Sequence, residues 1–131
     1  MTSRHLDIVA IGDAIVDVIA TCDDQFLEQH RLPKGSMQLL TPEQSDTLYN
    51  AMGSARETSG GSAANTMAGV AAMGGRAAFI GQTANDQLGK IFAHDIRALG
   101  VQFDTAPSDN GLPTGRCLIL VTPDAQRTMN T

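Results

Sequence analysis

The sequence predicts one α/β domain in which helices flank a parallel sheet. Apolar runs at residues 6–11 and 76–80 are each followed directly by a glycine, and both are typical of buried parallel strands. An amphipathic helical pattern follows the second run, and a helix of small residues precedes it. Strands that alternate with helices are typical of a parallel sheet with crossover connections. A chain of 131 residues suffices for one such domain, residues 1–131, with a modest core.

Composition and charge exclude several classes of protein. The net charge of −5 gives no basic surface for nucleic acid or acidic lipid, so we expect neither as a partner. No apolar run is long enough to span a membrane, and the first residues lack the apolar core of a signal peptide. Cys22 and Cys117 have no metal-ligand spacing, and the three histidines do not cluster. We therefore expect a cytoplasmic protein with reduced thiols and without a metal site in this chain.

Residues 58–75 form the segment around which the other elements are arranged. Gly60 and Gly61 allow backbone conformations that a Cβ forbids, and they let another group approach the main chain. Ser62 is expected to cap an alanine-rich helix, in which Asn65 lies one turn from the start. A hinge that leads into a helix N-terminus with a nearby amide suits a polar or anionic ligand. The alternative is a tight turn before a buried helix, and this segment alone does not decide between them.

Two carboxylates follow the first predicted strand. Asp13 comes directly after Gly12, and Asp17 lies four residues further on, so both share one face of an extended segment. Open α/β sheets bind ligands beyond the carboxyl ends of their strands. Two groups that only accept hydrogen bonds suit a polyhydroxylated ligand. Alternatively, Asp13 caps a turn and Asp17 lies solvated on an edge strand.

The other elements follow from local signals. We predict short helices over residues 23–30 and from Pro42, the latter with Thr41 as N-cap and Gln44 completing a capping box. Asp86 begins the amphipathic helix, and Gly100 ends it. Further strands are predicted over residues 36–40, 101–106 and 115–121, with a polar linker before Gly60.

Together these motifs resemble the ribokinase-like (PfkB) carbohydrate kinases, and within them the adenosine kinase-like sugar and nucleoside kinases, over the N-terminal portion. The resemblance covers the whole chain, and the block from Gly60 to Gly89 is the most specific to the family. The motifs that carry it are Gly12-Asp13 through Asp17, Gly60-Gly61 with Asn65, the segment GQTANDQLG at 81–89, Pro113-Thr114-Gly115, Thr122-Pro123-Asp124 and Arg127-Thr128-Met129.

The resemblance implies a Rossmann-like core with a small β-sheet lid, whose strands would lie near residues 15–21, 36–40, 101–106 and 115–121. It implies that the residues matching Asp13, Asp17 and Asn65 bind sugar or ribose hydroxyls. The residues matching Gly60 and Gly61 would act as a hinge when the lid closes. By position, Met37 would contact the substrate, and Arg127 would approach the reacting phosphate.

The implied activity is ATP- and Mg²⁺-dependent phosphorylation of a primary hydroxyl of a sugar or nucleoside. Asp13 stands where several nucleoside-preferring members carry Asn, so the preferred substrate stays open. The family's later Gly-Ala-Gly-Asp segment, which supplies the catalytic base and phosphate-binding amides, does not occur in this sequence. We therefore expect a truncated kinase that carries the substrate-binding half, has no catalytic residue in this chain and is inactive alone.

Two other functions fit the same pattern. One is a sugar- or nucleoside-binding module without catalysis, or a part that a second chain completes. The other, a dinucleotide-dependent oxidoreductase, is disfavoured because no GxGxxG follows Gly12. A sheet that ends on an unpaired strand also invites self-association. We therefore expect a homodimer or a swapped assembly through the lid or an exposed sheet edge.

Overall fold

The computed structural model describes residues 5–131, which form an α/β fold. The strands are β1 (Ile8–Ile11), β2 (Ile15–Thr21), β3 (Met37–Gln38), β4 (Arg56–Gly60), β5 (Ala77–Ile80), β6 (Gly115–Val121) and β7 (Arg127–Asn130). The helices are α1 (Asp24–Gln29), α2 (Pro42–Ala51), α3 (Ser62–Ala72) and α4 (Gln87–Ala98). The predicted α/β class is confirmed. None of the helices in this described part has the length and apolar character needed to cross a bilayer.

The described chain divides into two compact units. The first unit contains residues 5–16 and Thr58–Gly115, and the second contains Asp17–Glu57 and Arg116–Thr131. The chain therefore passes between the units three times, within β2, within β4 and within β6. These three strands are neighbours in one five-stranded sheet, whose order is β3-β7-β6-β2-β4.

The first unit is built on parallel pairing of β1 with β5, from Ile8 opposite Ala77 to Ile11 opposite Ile80. Helix α3 packs on both strands. Three aromatic side chains, Phe79, Phe92 and Phe103, form the centre of its core, with ring centroids 5.3–6.0 Å apart. Such clusters stabilise a core beyond their buried area.

Two strand predictions in this unit need correction. Residues 101–106 do not form a lid strand, because Gln102 makes a parallel bridge to Ala78 and so extends the β1–β5 pair. The run that contains β1 is not buried as predicted: Ile8 is 43% and Ile11 79% exposed. Among the described residues β1 pairs with β5 alone, and an edge strand lacks a neighbour on its other side.

In the second unit, β6 pairs antiparallel with β7, and β3 pairs parallel with β7. Val18, Leu118, Leu120, Thr128 and Asn130 are almost fully buried, and Cys117 and Ile119 of β6 are buried as well. The helices α1 and α2 of this unit bury Leu27 and Leu48. The buried side-chain amide of Asn130 has its own hydrogen-bond partners: it donates to the carbonyl of Leu118 at 3.1 Å and accepts from Gln38 at 2.8 Å.

Local signals gave α2 correctly, including the reciprocal capping bonds of Thr41 and Gln44. Three other predictions differ from the structure. The strand predicted over residues 36–40 is only Met37–Gln38 long. The predicted polar linker is strand β4, at the edge of the five-stranded sheet. Gly61, not Ser62, is the N-cap residue of α3, and it makes no side-chain capping bond.

Candidate functional site

The first unit brings together three of the predicted site residues at the N-terminus of α3. A Cβ built on Gly61 would lie 2.7 Å from the carbonyl oxygen of Asp13, so the two backbones are in close contact. One turn into the helix, the backbone N–H of Asn65 donates to the Gly61 carbonyl at 2.9 Å. Asp13, Gly61 and Asn65 thus form one group, which we call the glycine-turn group.

Glycine is required at the centre of this group. Gly61 has a φ of +92°, a left-handed conformation that residues with a Cβ rarely adopt. Gly12 also lies close to α3, since a Cβ there would come within 2.8 Å of the Ala63 Cβ. Gly60 is buried at the end of β4. The sequence places small residues at this turn because the segment before Asp13 packs directly on the start of the helix.

The polar side chains of the glycine-turn group face solvent. Asp13 and Asn65 are both exposed, and neither side chain forms a hydrogen bond with the rest of residues 5–131. The first backbone N–H groups of a helix have no partner within the helix, and they carry a partial positive charge. A carboxylate and an amide beside such a helix start can accept and donate hydrogen bonds to ligand hydroxyls.

Asp17 lies in the second unit, on β2. Its neighbours Val16 and Val18 are fully buried, whereas Asp17 is half-buried on the opposite face of the strand. Burial raises the pKa of Asp17 above its ordinary value. Burial, together with the Asp17 carboxylate, also raises the pKa of the Cys117 thiol on β6. The Asp17 and Cys117 side chains therefore face the same side of the sheet.

This side of the second unit continues across three neighbouring strands. Side chains alternate along a strand, so Cys117 and Ile119 of β6 share a face. Ile119 is paired with Met129 of β7, and Met129 is paired with Met37 of β3. These five residues, Asp17, Cys117, Ile119, Met129 and Met37, form what we call the Asp17 face. It is apolar apart from one carboxylate, and Met37 is 64% exposed.

Sequence reasoning identified Asp17 and Met37 but missed Cys117, Ile119 and Met129. The apolar run in residues 115–121 gave a strand, but not which of its side chains share a side of the sheet with Met129 and Met37. The pairing of β6 with β7 decides this, and it depends on residues about ten positions apart. Arg127 is exposed at the start of β7, opposite Val121, and forms no ion pair with another described residue.

Both cysteines are free thiols, so no disulfide links the described elements. Within residues 5–131 no three or more His, Cys, Asp or Glu side chains are grouped as metal ligands. We therefore assign no metal-binding residue within this described part of the chain. The glycine-turn group can form hydrogen bonds with a hydroxylated ligand. Asp17 can do the same from within an apolar surrounding.

Comparison with known proteins gives one family. The family model described as pfkB family carbohydrate kinase matches residues 5–131. Among solved structures, adenosine kinase from Sinorhizobium meliloti superposes with a TM-score of 0.88 and 56% identity, over 95% of this chain and 38% of that one. A probable sugar kinase from Rhizobium etli gives a TM-score of 0.88 and 51% identity over the same shares.

A curated relative gives the same result at a greater distance. Fructokinase-2 of Solanum habrochaites is 34% identical over 68 residues, which are 52% of this chain and 21% of that protein. The chain thus spans about a fifth of this curated relative and under two fifths of the two solved ones.

Proposed function

Because the chain belongs to the pfkB family of carbohydrate kinases, we propose that it binds the substrate of an ATP-dependent phosphotransferase that acts on a primary hydroxyl of a sugar or nucleoside. The observation that carries this proposal is the glycine-turn group. Gly61 brings the backbone of Asp13 against the start of α3, and the side chains of Asp13 and Asn65 are exposed there and form no hydrogen bond with other residues of 5–131. Such groups are free to bind hydroxyls.

We assign a role to each residue of the two groups. Asp13 and Asp17 accept hydrogen bonds from substrate hydroxyls, and the Asn65 amide can both donate and accept. Gly60 and Gly61 provide the backbone freedom for closure of a lid, which we place in the second unit. Met37 makes apolar contact with the substrate, and Arg127 supplies positive charge toward the transferred phosphate. Orientation of the acceptor is a large part of catalysis in phosphoryl transfer.

ATP and Mg²⁺ are the cofactors of the proposed reaction, and Mg²⁺ would neutralise charge on the transferred phosphate. We assign neither to residues of this chain, because residues 5–131 contain no grouped metal ligands and the sequence contains no Gly-Ala-Gly-Asp segment. The base that deprotonates the acceptor is therefore proposed to come from outside these 131 residues. The reduced cysteines fit a cytoplasmic location for such a kinase.

Calorimetric titration of the chain with adenosine, ribose and fructose tests this proposal. We expect one of these ligands to bind the wild-type chain, and Asp17→Ala to weaken that binding at least about tenfold, as loss of a charged hydrogen-bond acceptor does. Asp109→Ala, which removes an exposed carboxylate, is the matched control and should bind like the wild type. Full affinity in Asp17→Ala, or no binding by a folded wild-type chain, would contradict the proposal.

A second candidate is a module that binds a sugar or nucleoside without transferring phosphate, or that a second chain completes. The residues of the two groups fit this candidate equally, because they bind hydroxyls and perform no chemistry on phosphate. Assays of purified chain with ATP, Mg²⁺ and the bound ligand test whether these residues transfer phosphate at all. We expect no turnover by the chain alone; turnover would place the catalytic base among these residues.

A further inference from the structure

Helix α4 carries two carboxylates, and each binds a backbone N–H beside a point where the chain leaves the first unit. At β4, Oδ2 of Asp95 accepts from the backbone N–H of Ser59 at 3.0 Å. At β6, Oδ2 of Asp86 accepts from the backbone N–H of Thr114 at 2.9 Å. Ser59 and Thr114 are each the second residue of the first unit, counted from the crossing. One helix therefore fixes two of the three crossings.

The contact at Thr114 is part of a closed hydrogen-bond network. The Thr114 hydroxyl donates to Asp86 at 2.6 Å and accepts from the backbone N–H of Ala84 at 2.9 Å. Asp86 is also the N-cap of α4 through Gly89. Burial acts to raise the pKa of Asp86, but hydrogen bonds from Thr114 and Gly89 outweigh it and lower that pKa. The carboxylate stays ionised and holds Thr114, which is 3% exposed.

The contact at Ser59 differs from the one at Thr114, because its carboxylate has no part in capping helix α4. Asp95 lies in the C-terminal half of α4 and caps neither end of that helix. Its side chain is about one-third exposed, so packing alone does not fix the position of its carboxylate. Ser59 directly precedes Gly60 and Gly61, and beyond them the backbone is fixed again by the Asn65 to Gly61 helical bond. Gly60 and Gly61 thus lie between two points that are fixed within the first unit.

We propose that Asp95 is a positioning residue that holds Ser59 on helix α4 and thereby keeps Gly60 and Gly61 in the conformation that the glycine-turn group requires. Asp86 holds Thr114 in the same way beside the β6 crossing. The effect of Asp95 on substrate affinity rests on the proposed function, because it acts through the glycine-turn group.

Amide hydrogen exchange in the 131-residue chain tests the anchor directly. In Asp95→Ala we expect the amides of Ser59, Gly60 and Gly61 to exchange about 10- to 100-fold faster, as loss of a hydrogen bond to a charged group predicts. Asp95→Asn keeps an acceptor oxygen and should stay within about threefold of the wild type. The amides of Phe79 and Gln102, which bond across the core strands, report global opening and should not change.

Asp109→Asn is the control for loss of one negative charge, and Asp95→Ser replaces the alanine variant if that chain does not fold. Unchanged exchange at Ser59 in Asp95→Ala would overturn the proposal. So would equal acceleration at Ser59 and Phe79, or failure of both deletion variants to fold, since either result makes Asp95 a general stability residue.

Adenosine titration of the same variants separates this inference from the proposed function. If the wild-type chain binds adenosine, we expect Asp95→Ala to bind it about three- to tenfold more weakly and Asp95→Asn to restore affinity. Equal affinity in all three would overturn the link to substrate binding. If the wild-type chain binds no adenosine, the proposed function fails for that ligand, and the exchange result still decides the anchor.

Discussion

Gly61 and Asp13 are in backbone contact: a Cβ on Gly61 would lie 2.7 Å from the Asp13 carbonyl oxygen, and Gly61 has a φ of +92°. A side chain that moved aside could not make room for a Cβ on Gly61, because the nearest atom belongs to the main chain of Asp13. The contact joins the segment that follows β1 to the start of α3.

Gly61→Ala is expected to lower the free energy of unfolding by about 2–4 kcal/mol, through left-handed strain and the clash with Asp13 together. Chemical denaturation measures this change. Gly53→Ala is the matched control, because a Cβ there meets no atom within 4 Å and its φ is not positive. A loss below about 0.5 kcal/mol for Gly61→Ala would show that the turn relaxes freely.

Asp17→Asn is expected to stabilise the folded chain at neutral pH while weakening ligand binding. Burial raises the folded-state pKa of Asp17 above its ordinary value of 3.8. The folded state therefore binds the proton more tightly than the unfolded state, and stability falls as pH rises from 3.8 through the folded pKa. Denaturation across this pH range should show the advantage of Asp17→Asn growing with pH. An advantage independent of pH would contradict this reasoning.

Lys34→Met is expected to raise the pKa of Asp124. In the wild type, hydrogen bonds from Lys34 and Thr122 lower this pKa to about 2. Lys34 also bonds Asp24, so it joins α1 to the turn between β6 and β7. Carboxyl carbon NMR titration measures each aspartate separately. Asp7, whose pKa is also about 2 because of Arg76, is the internal control and should not move.

Arg116→Met is expected to lower the free energy of unfolding by about 1–2 kcal/mol. The Arg116 guanidinium donates to Ser45 at 2.9 Å, pairs with Asp46 and lies 4.9 Å from the centre of the Tyr49 ring. Asp46 is 72% exposed, so its ion pair contributes little, and the other two contacts dominate.

Thermal or chemical denaturation measures the effect of Arg116→Met. Arg56→Met is the control, since Arg56 is exposed and forms no hydrogen bond or ion pair with other described side chains. Equal losses in the two variants would show that the contacts between α2 and β6 do not stabilise the fold.

The parts of the fold that the sequence predicted correctly are those with local causes. Thr41, Pro42 and Gln44 specify the start of α2 within four residues, and Asp86 does so for α4. Strand β4 was missed because its residues, RETSG, are polar and lack apolar alternation. An edge strand of this kind forms through backbone hydrogen bonds to a strand that is distant in sequence. The pattern of its side chains does not predict those bonds.

The same difference between local and distant causes applies to the residues of the candidate site. The glycine-turn group could be predicted because Gly60, Gly61 and Asn65 are close in sequence, and Asp13 follows a strand. Residues 101–106 show the limit: their pattern gave a strand, but the choice between a lid and the β1–β5 pair depends on a contact with Ala78. The Asp17 face needed the register of β6 with β7, which no short segment encodes.

Both units are discontinuous in sequence, but the second depends on the longer separation. Met37 pairs with Met129 across 92 residues, whereas β1 pairs with β5 and packs on α3 over shorter separations. Closing a long loop costs entropy before its contacts form, so pairs of high sequence separation form late. During synthesis, β2, α1, β3 and α2 emerge before β6 and β7 exist. We therefore expect the apolar side chains of these four elements to stay exposed until β6 and β7 are made.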